Sequence, residues 1–117
     1  MDNICSIVPY FEIQEGKLED FKKVCEKFIE KTKTEEKCVY YGFCFEGNTM
    51  HCREAYEGAE GVLAHLENVG ALIEEALTMS DLVRLEIHAN AEETEKLRAP
   101  LTELNPRFFV WEMGFRK

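Results

Sequence analysis

Apolar and polar positions change period several times along the chain, and each change marks a predicted element. From Ile4 to Ile13 the residues are rich in β-branched and aromatic types, which predicts a strand. Pro9 lacks an amide donor, so its place in that strand points to a sheet edge or a bulge. Glu15-Gly16 breaks the run. From Lys17 to about Thr32 the residues Leu18, Phe21, Val24, Cys25, Phe28 and Ile29 recur at helical spacing, with lysines and glutamates on the remaining surface. That pattern is an amphipathic helix lying on a flat apolar partner.

Cys38 to Glu46 and Thr49 to Tyr56 are two β-rich runs joined by Gly47-Asn48, a two-residue connection typical of a hairpin. If the turn is tight, Glu46 pairs with Thr49 and the faces follow from strict alternation. One face carries Val39, Tyr41, Phe43, Phe45, Met50, Cys52, Glu54 and Tyr56; the other carries Cys38, Tyr40, Gly42, Cys44, Thr49, His51, Arg53 and Ala55. The first face is the apolar one, and Glu54 is its single carboxylate.

Ala59 to Met79 predicts a helix with Val62, Leu66, Val69, Ile73, Ala76 and Leu77 along one side, interrupted or offset at Asn68-Val69-Gly70. Leu82 to Ala89 alternates, with Val83, Leu85 and Ile87 on one face and Arg84, Glu86 and His88 on the other. Asn90 with Glu93 resembles a helix-start pair, and the helix it opens breaks at Pro100, after which Leu101 and Leu104 continue the face in a short turn. Arg107 to Phe115 reads as a final aromatic strand holding the single tryptophan, Trp111.

The order is β-α-β-β-α-β with an extra helix and strand. It predicts an α+β, ferredoxin-like fold: an antiparallel sheet with helices packed on one face. Residues 1–117 form one domain, with 4–90 as its core and 91–117 as a helix–strand extension. The sheet face away from the helices would hold Arg84, Glu86 and His88, together with His51 and Arg53. It is too apolar around Tyr40 to stay fully wet, so a two-fold homodimer across it is the expected assembly.

Charge narrows the possible partners. Fourteen Lys and Arg against 23 Asp and Glu leave a net charge of −9, so no basic surface is available for nucleic acid or an anionic membrane. No apolar run approaches the roughly 20 residues of a spanning helix. The start, MDNICSIVPYFEI, has no basic n-region and no long apolar stretch, so it is not read as a signal peptide. A cytoplasmic domain is expected. The five cysteines (Cys5, Cys25, Cys38, Cys44 and Cys52) form no CxxC pair, which suits reduced thiols acting as small hydrophobes. A metal site from Cys44, His51 and Cys52 is disfavoured, because Cys52 falls on the hairpin face opposite the other two.

No glycine-rich phosphate loop, GxSxG elbow or HExxH pair occurs, and His51, His65 and His88 lie on separate elements. Neither a nucleotide cofactor nor a metal is expected. What remains is a small pocket between sheet and helices. His65 stands at the edge of its helix's apolar stripe, and Glu54 points to the same side of the sheet, with Tyr41 and Tyr56 adding phenols. A carboxylate withdrawn from water gains proton affinity, and a nearby imidazole gives it a partner, so the pair suits general-base work on an acidic phenol or quinol. The same residues also suit structural roles: a hydrogen-bonded histidine, a carboxylate paired at the sheet, core aromatics with satisfied hydroxyls. Trp111 reads equally as a pocket wall or as an interface anchor.

The segment REAYEGAEGVLAHLENV (Arg53 to Val69) resembles the antibiotic biosynthesis monooxygenase family, whose members often show Glu-x-aromatic at a strand end, an acidic turn, and a helix containing Ala-His-Leu. Here these are Glu54, Tyr56, Glu57-Gly58 and Ala64-His65-Leu66, and the resemblance spans roughly residues 4 to 90. It implies a dimeric α+β barrel with a pocket between helices and sheet in each subunit. It also implies oxygenation of anthrones or quinols with no cofactor, through a substrate carbanion that reacts with dioxygen. On that likeness His65 and Glu54 are the catalytic residues that bind or deprotonate substrate, and Tyr41 and Tyr56 orient it; Trp111, on its reading as a pocket wall, is the further substrate-binding candidate. Some relatives degrade haem with an asparagine, a tryptophan and a histidine; here Asn3 precedes the first strand and Trp111 lies in the last, which does not match. The alternatives are a non-catalytic dimeric ligand-binding domain and an isomerase acting on a small carbonyl compound. The 91–117 extension departs from the minimal family pattern and suits either a pocket lid or exchange with a partner subunit.

Overall fold

The computed structural model describes residues 2–117. Strand β1 (Ile4–Ile13) is followed by helix α1 (Leu18–Thr32) and the hairpin β2 (Cys38–Glu46) and β3 (Thr49–Glu57). Helices α2 (Gly58–Asn68) and α3 (Gly70–Leu77) come next, then β4 (Ser80–Ala89), α4 (Ala91–Arg98), a 3-10 turn at Thr102–Leu104, and β5 (Arg107–Val110). The sheet order is β2-β3-β1-β4-β5. The first four strands pair antiparallel throughout, which is the ferredoxin-like core, while β5 lies parallel to β4 and makes the whole sheet mixed. A parallel partner needs a crossover connection, and α4 supplies it.

Pro9 is in the central strand, not at an edge. The bulge holds instead: the register against β4 shifts between Tyr10 and Phe11, just after the proline, and the Pro9 carbonyl lies 2.8 Å from His51 Nδ1. The shift leaves Val83 outside the ladder and exposed, so Leu82, not Val83, faces the helices with Leu85 and Ile87. The hairpin keeps the expected register from Glu46↔Thr49 to Tyr40↔Ala55, then shifts before Cys38↔Tyr56. Beyond that bulge Val39 is exposed and Cys38 packs inward, the reverse of strict alternation.

The core has two parts. Phe21, Val24, Cys25 and Phe28 of α1 pack with Met50, Cys52, Val69, Leu72 and Ala76. Cys5, Ile7, Tyr56, Val62 and Ile87 form the other part with Leu97 and Leu101. The helical stripe therefore runs through Leu72, and Leu77 is exposed. Leu97 and Leu101 make the start of the extension core material. Asn90 caps α4 by accepting from the Glu93 amide at 2.8 Å. The Glu93 side chain does not complete a capping box. It accepts from the Ala59 amide at 2.7 Å, at the start of α2.

The last strand is shorter than the aromatic run suggests. After Val110 the chain leaves the ladder, with the Trp111 amide donating to the Ala89 carbonyl at 2.7 Å, and Arg116 Nε reaches Asp2 at 2.8 Å. Among the described residues no helix is long and apolar enough to cross a membrane. The five cysteines are free thiols; Cys52 faces the core while Cys44 is exposed, as their opposite hairpin faces require.

Candidate functional site

Between the two parts of the core lies an apolar cavity of about 80 Å³. Its walls include Phe11, Phe21, Phe28, Phe43, Met50 and Ile73, with Leu82, Leu85 and Leu104 toward the end of the extension. Glu54, His65, Tyr41 and Cys52 bring nearly all its polarity. Glu54 reaches it because β3 alternates inward through Met50, Cys52, Glu54 and Tyr56. His65 reaches it because α2 crosses close over the sheet at Gly61, where an added Cβ would sit 2.9 Å from Tyr56 Cβ. Gly58 makes the turn into that helix at φ +70°, a conformation that favours glycine.

Glu54 is 5% exposed and His65 3% exposed. The Tyr56 hydroxyl donates to Glu54 Oε1 at 2.6 Å, and His65 Nε2 stands 3.5 Å from the same oxygen, long for a hydrogen bond. On the other side of the ring, His65 Nδ1 meets Glu35 at 3.0 and 3.1 Å. Asn68 Nδ2 donates to Glu35 Oε2 at 2.8 Å and to the Lys31 carbonyl at 3.0 Å, tying the α1–β2 connection to the end of α2. The ring packs between phenols, 4.8 Å from Tyr56 and 5.3 Å from Tyr41, centroid to centroid.

Burial decides the protonation states. Desolvation pushes the Glu54 carboxyl up to about 7, against the opposing pull of hydrogen bonds from Tyr56 and Cys52. Desolvation holds His65 below its ordinary value, although Glu35 pulls the other way, so the imidazole is neutral near pH 7. The Tyr41, Tyr56 and Cys52 protons are held more tightly than usual, first by burial and then chiefly by neighbouring negative groups, including Glu54. The arrangement can take or return one proton near neutral pH. It offers no thiolate or phenolate nucleophile.

The structure thus brings Glu54, His65, Tyr41 and Tyr56 together. Tyr41 lines the cavity, whereas Tyr56 is fully buried behind Glu54 and acts on it. Trp111 is elsewhere. It borders a separate groove of about 450 Å³ with Ser6, His88, Phe109 and Arg116, on the sheet face away from the helices. The extension reaches the cavity only through Leu104, at its rim. Sequence patterning gives Glu35 no role and marks Asn68 only as part of a helix break, not as a site residue. Glu35 sits in the charged stretch Thr34-Glu35-Glu36-Lys37, and nothing local distinguishes it from a solvated carboxylate.

No protein-family model matches the chain, and no curated protein matches it. Among solved structures, MupZ from Pseudomonas fluorescens is 47% identical, with a TM-score of 0.95 over 99% of this chain and 96% of that one. Two more distant structures share the fold. A proposed antibiotic biosynthesis monooxygenase from Nitrosomonas europaea superimposes with a TM-score of 0.69 at 14% identity, over 78% of this chain and 93% of that one. Another from Caulobacter crescentus gives a TM-score of 0.65 at 17% identity, over 74% and 88%.

Proposed function

Because the chain belongs to the same family as MupZ and shares the fold of structures named as antibiotic biosynthesis monooxygenases, we propose that it is a cofactor-independent monooxygenase-like enzyme for a small aromatic or quinol-type substrate. The observation that carries this reading is the buried Glu54 carboxyl, poised near pH 7 at the polar end of an otherwise apolar cavity. Glu54 takes a proton from an activated carbon of the substrate. The carbanion passes one electron to dioxygen, and the radical pair joins to form a peroxide. Loss of water then leaves a carbonyl, so a CH2 group and O2 become C=O and H2O with no outside reductant. Tyr41 and the aromatic walls orient the ring, Tyr56 holds Glu54 in place, and His65 is the neighbouring proton acceptor.

The cavity at about 80 Å³ is well below the roughly 300 Å³ of a typical ligand pocket. Substrate access therefore requires the rim side chains Leu82, Leu85 and Leu104 to part. A second reading has one specific observation in its favour. A group with a pKa near 7 returns a proton as readily as it takes one, which also suits isomerisation of a small carbonyl compound.

The test is oxygen uptake by metal-stripped protein against a panel of quinols and anthrones. Protein-dependent uptake with formation of the carbonyl product is the expected result. No uptake, together with deuterium wash-in at the substrate carbon, replaces oxygenation by isomerisation; neither signal leaves a ligand-binding domain.

A homodimer across the open sheet face belongs to the same reading. Tyr40, Val83, Phe109, Met113 and Phe115 are all exposed, while Glu86 is buried on that side and held by Arg84 Nε at 2.7 Å and His88 Nε2 at 2.9 Å. Those partners hold the Glu86 carboxyl below its usual range, His88 first and Arg84 next. Light scattering at low micromolar concentration should report twice the mass of one chain; a clean monomer removes the dimer.

A further inference from the structure

The 3.0 Å contact between His65 Nδ1 and Glu35 lies on the side of the ring away from the cavity. Glu35 also borders a second opening, a cleft of about 260 Å³ beside the end of α1 and the start of β2, which it shares with Thr32, Lys33, Cys38 and Tyr40. Its side chain is 9% exposed, and the carboxylate whose two oxygens lie 3.0 and 3.1 Å from the ring nitrogen is the same group that lines this cleft. Glu54 does not line it. Its surroundings are the apolar cavity, Tyr56, Cys52 and the Nε2 side of His65.

We propose that Glu35 and His65 form a proton relay joining Glu54 to solvent through this cleft, so that protons and substrate use different openings. The inference rests on Glu54 being the group that exchanges a proton with substrate. Glu35 accepts from Nδ1–H, which fixes the neutral ring as the tautomer with a bare Nε2 toward Glu54. The Glu54 proton moves to Nε2 as the Nδ1 proton moves to Glu35, and Glu35 gives it to water in the cleft. The reverse transfers restore the first tautomer and recharge Glu54. No electron moves, and each proton lost by one group is gained by the next. Tyr56 and Tyr41 pack against the ring and hold their own protons too tightly to enter the chain. Asn68, donating to Glu35 Oε2 at 2.8 Å, keeps the carboxylate aimed at the ring.

The alternative is that Glu35, His65 and Asn68 simply tie the α1–β2 connection to α2, and nitrogen-15 NMR of the histidine side chains separates the two without any substrate. In the wild type the proton should reside on Nδ1 of His65 and exchange quickly with water. In Glu35→Gln the amide oxygen still accepts from Nδ1, so the tautomer should persist, but exchange should slow about tenfold or more because an amide cannot carry the proton onward. Glu35→Asp should recover fast exchange. A wild-type ring protonated on Nε2 overturns the proposal whatever the variants do. Unchanged exchange in Glu35→Gln overturns it as well, since protons then leave through the cavity mouth. Failure of the oxygen-uptake test leaves this measurement intact, and failure here leaves Glu54 as the base.

Discussion

Glu54→Gln lowers turnover on an accepted substrate by about 10²- to 10⁴-fold, the range over which a positioned general base contributes. The substitution keeps the shape of the side chain and an oxygen able to accept from the Tyr56 hydroxyl, now 2.6 Å away. What it removes is the carboxylate that takes the substrate proton; of the other polar groups His65 alone offers an acceptor, and its Nε2 faces Glu54. Tyr41, Tyr56 and Cys52 all hold their protons more tightly than usual. His65 is a neutral ring whose nearer partner is Glu35. The wild-type enzyme should carry the matching signature in its pH profile. A base whose pKa is about 7 is mostly protonated below that value, so kcat/KM climbs tenfold per pH unit up to about 7 and then levels. Steady-state rates at several pH values check both points, and a Glu54→Gln enzyme of undiminished turnover removes Glu54 from the chemistry.

The same substitution makes the folded protein more stable, and increasingly so as pH rises. Glu54 has its pKa at about 7 in the folded chain against 4.5 for an unburied carboxyl. Below the lower value both states keep the proton and the burial costs nothing extra. Between the two values only the folded state keeps it, so wild-type stability falls as pH rises, and the loss is complete once pH passes the folded pKa. That span corresponds to about 3 kcal/mol. Glutamine carries no charge and escapes the loss. Urea denaturation at pH 4.5 and pH 8 should show the two proteins close together at the lower pH and the variant ahead by roughly 2–3 kcal/mol at the higher. A difference that stays flat with pH means that Glu54 ionises in the folded protein as an exposed carboxylate does. Together the two results describe a residue kept for its chemistry against its cost to the fold.

Local patterning carried much of this site because three of its central residues, Tyr41, Glu54 and Tyr56, sit on one hairpin whose turn fixes their faces. Gly47-Asn48 sets the hairpin register, the register sends Glu54 inward with Tyr41 opposite, and the two-residue period puts Tyr56 on the same side. The fold order came through for the same reason: each element announces itself over ten or so residues. Two positions misled. Alternation assumes an unbroken ladder, and the shifts at Val39 and Val83 each insert a residue that nothing nearby marks. Glu35 was illegible for a different reason. Its partner His65 is 30 residues away, and only the packing of α2 over the sheet brings them together. Trp111 shows the limit of composition: an aromatic run looks like one strand, yet the ladder stops at Val110 and the indole turns to the opposite face.

Glu93 bears on how the chain can be divided. This carboxylate belongs to the extension, yet it is bound to the Ala59 amide in the first turn of the helix that carries His65, and that amide is the chief reason its pKa sits below the usual range. Leu97 and Leu101 fill the space under the same helix. The familiar four-stranded core and the added segment are therefore not two modules laid end to end. A recombination boundary at residue 90 would strip an anion from the dipole of the His65 helix and open its floor, so the segment has to be inherited or lost together with the site it props.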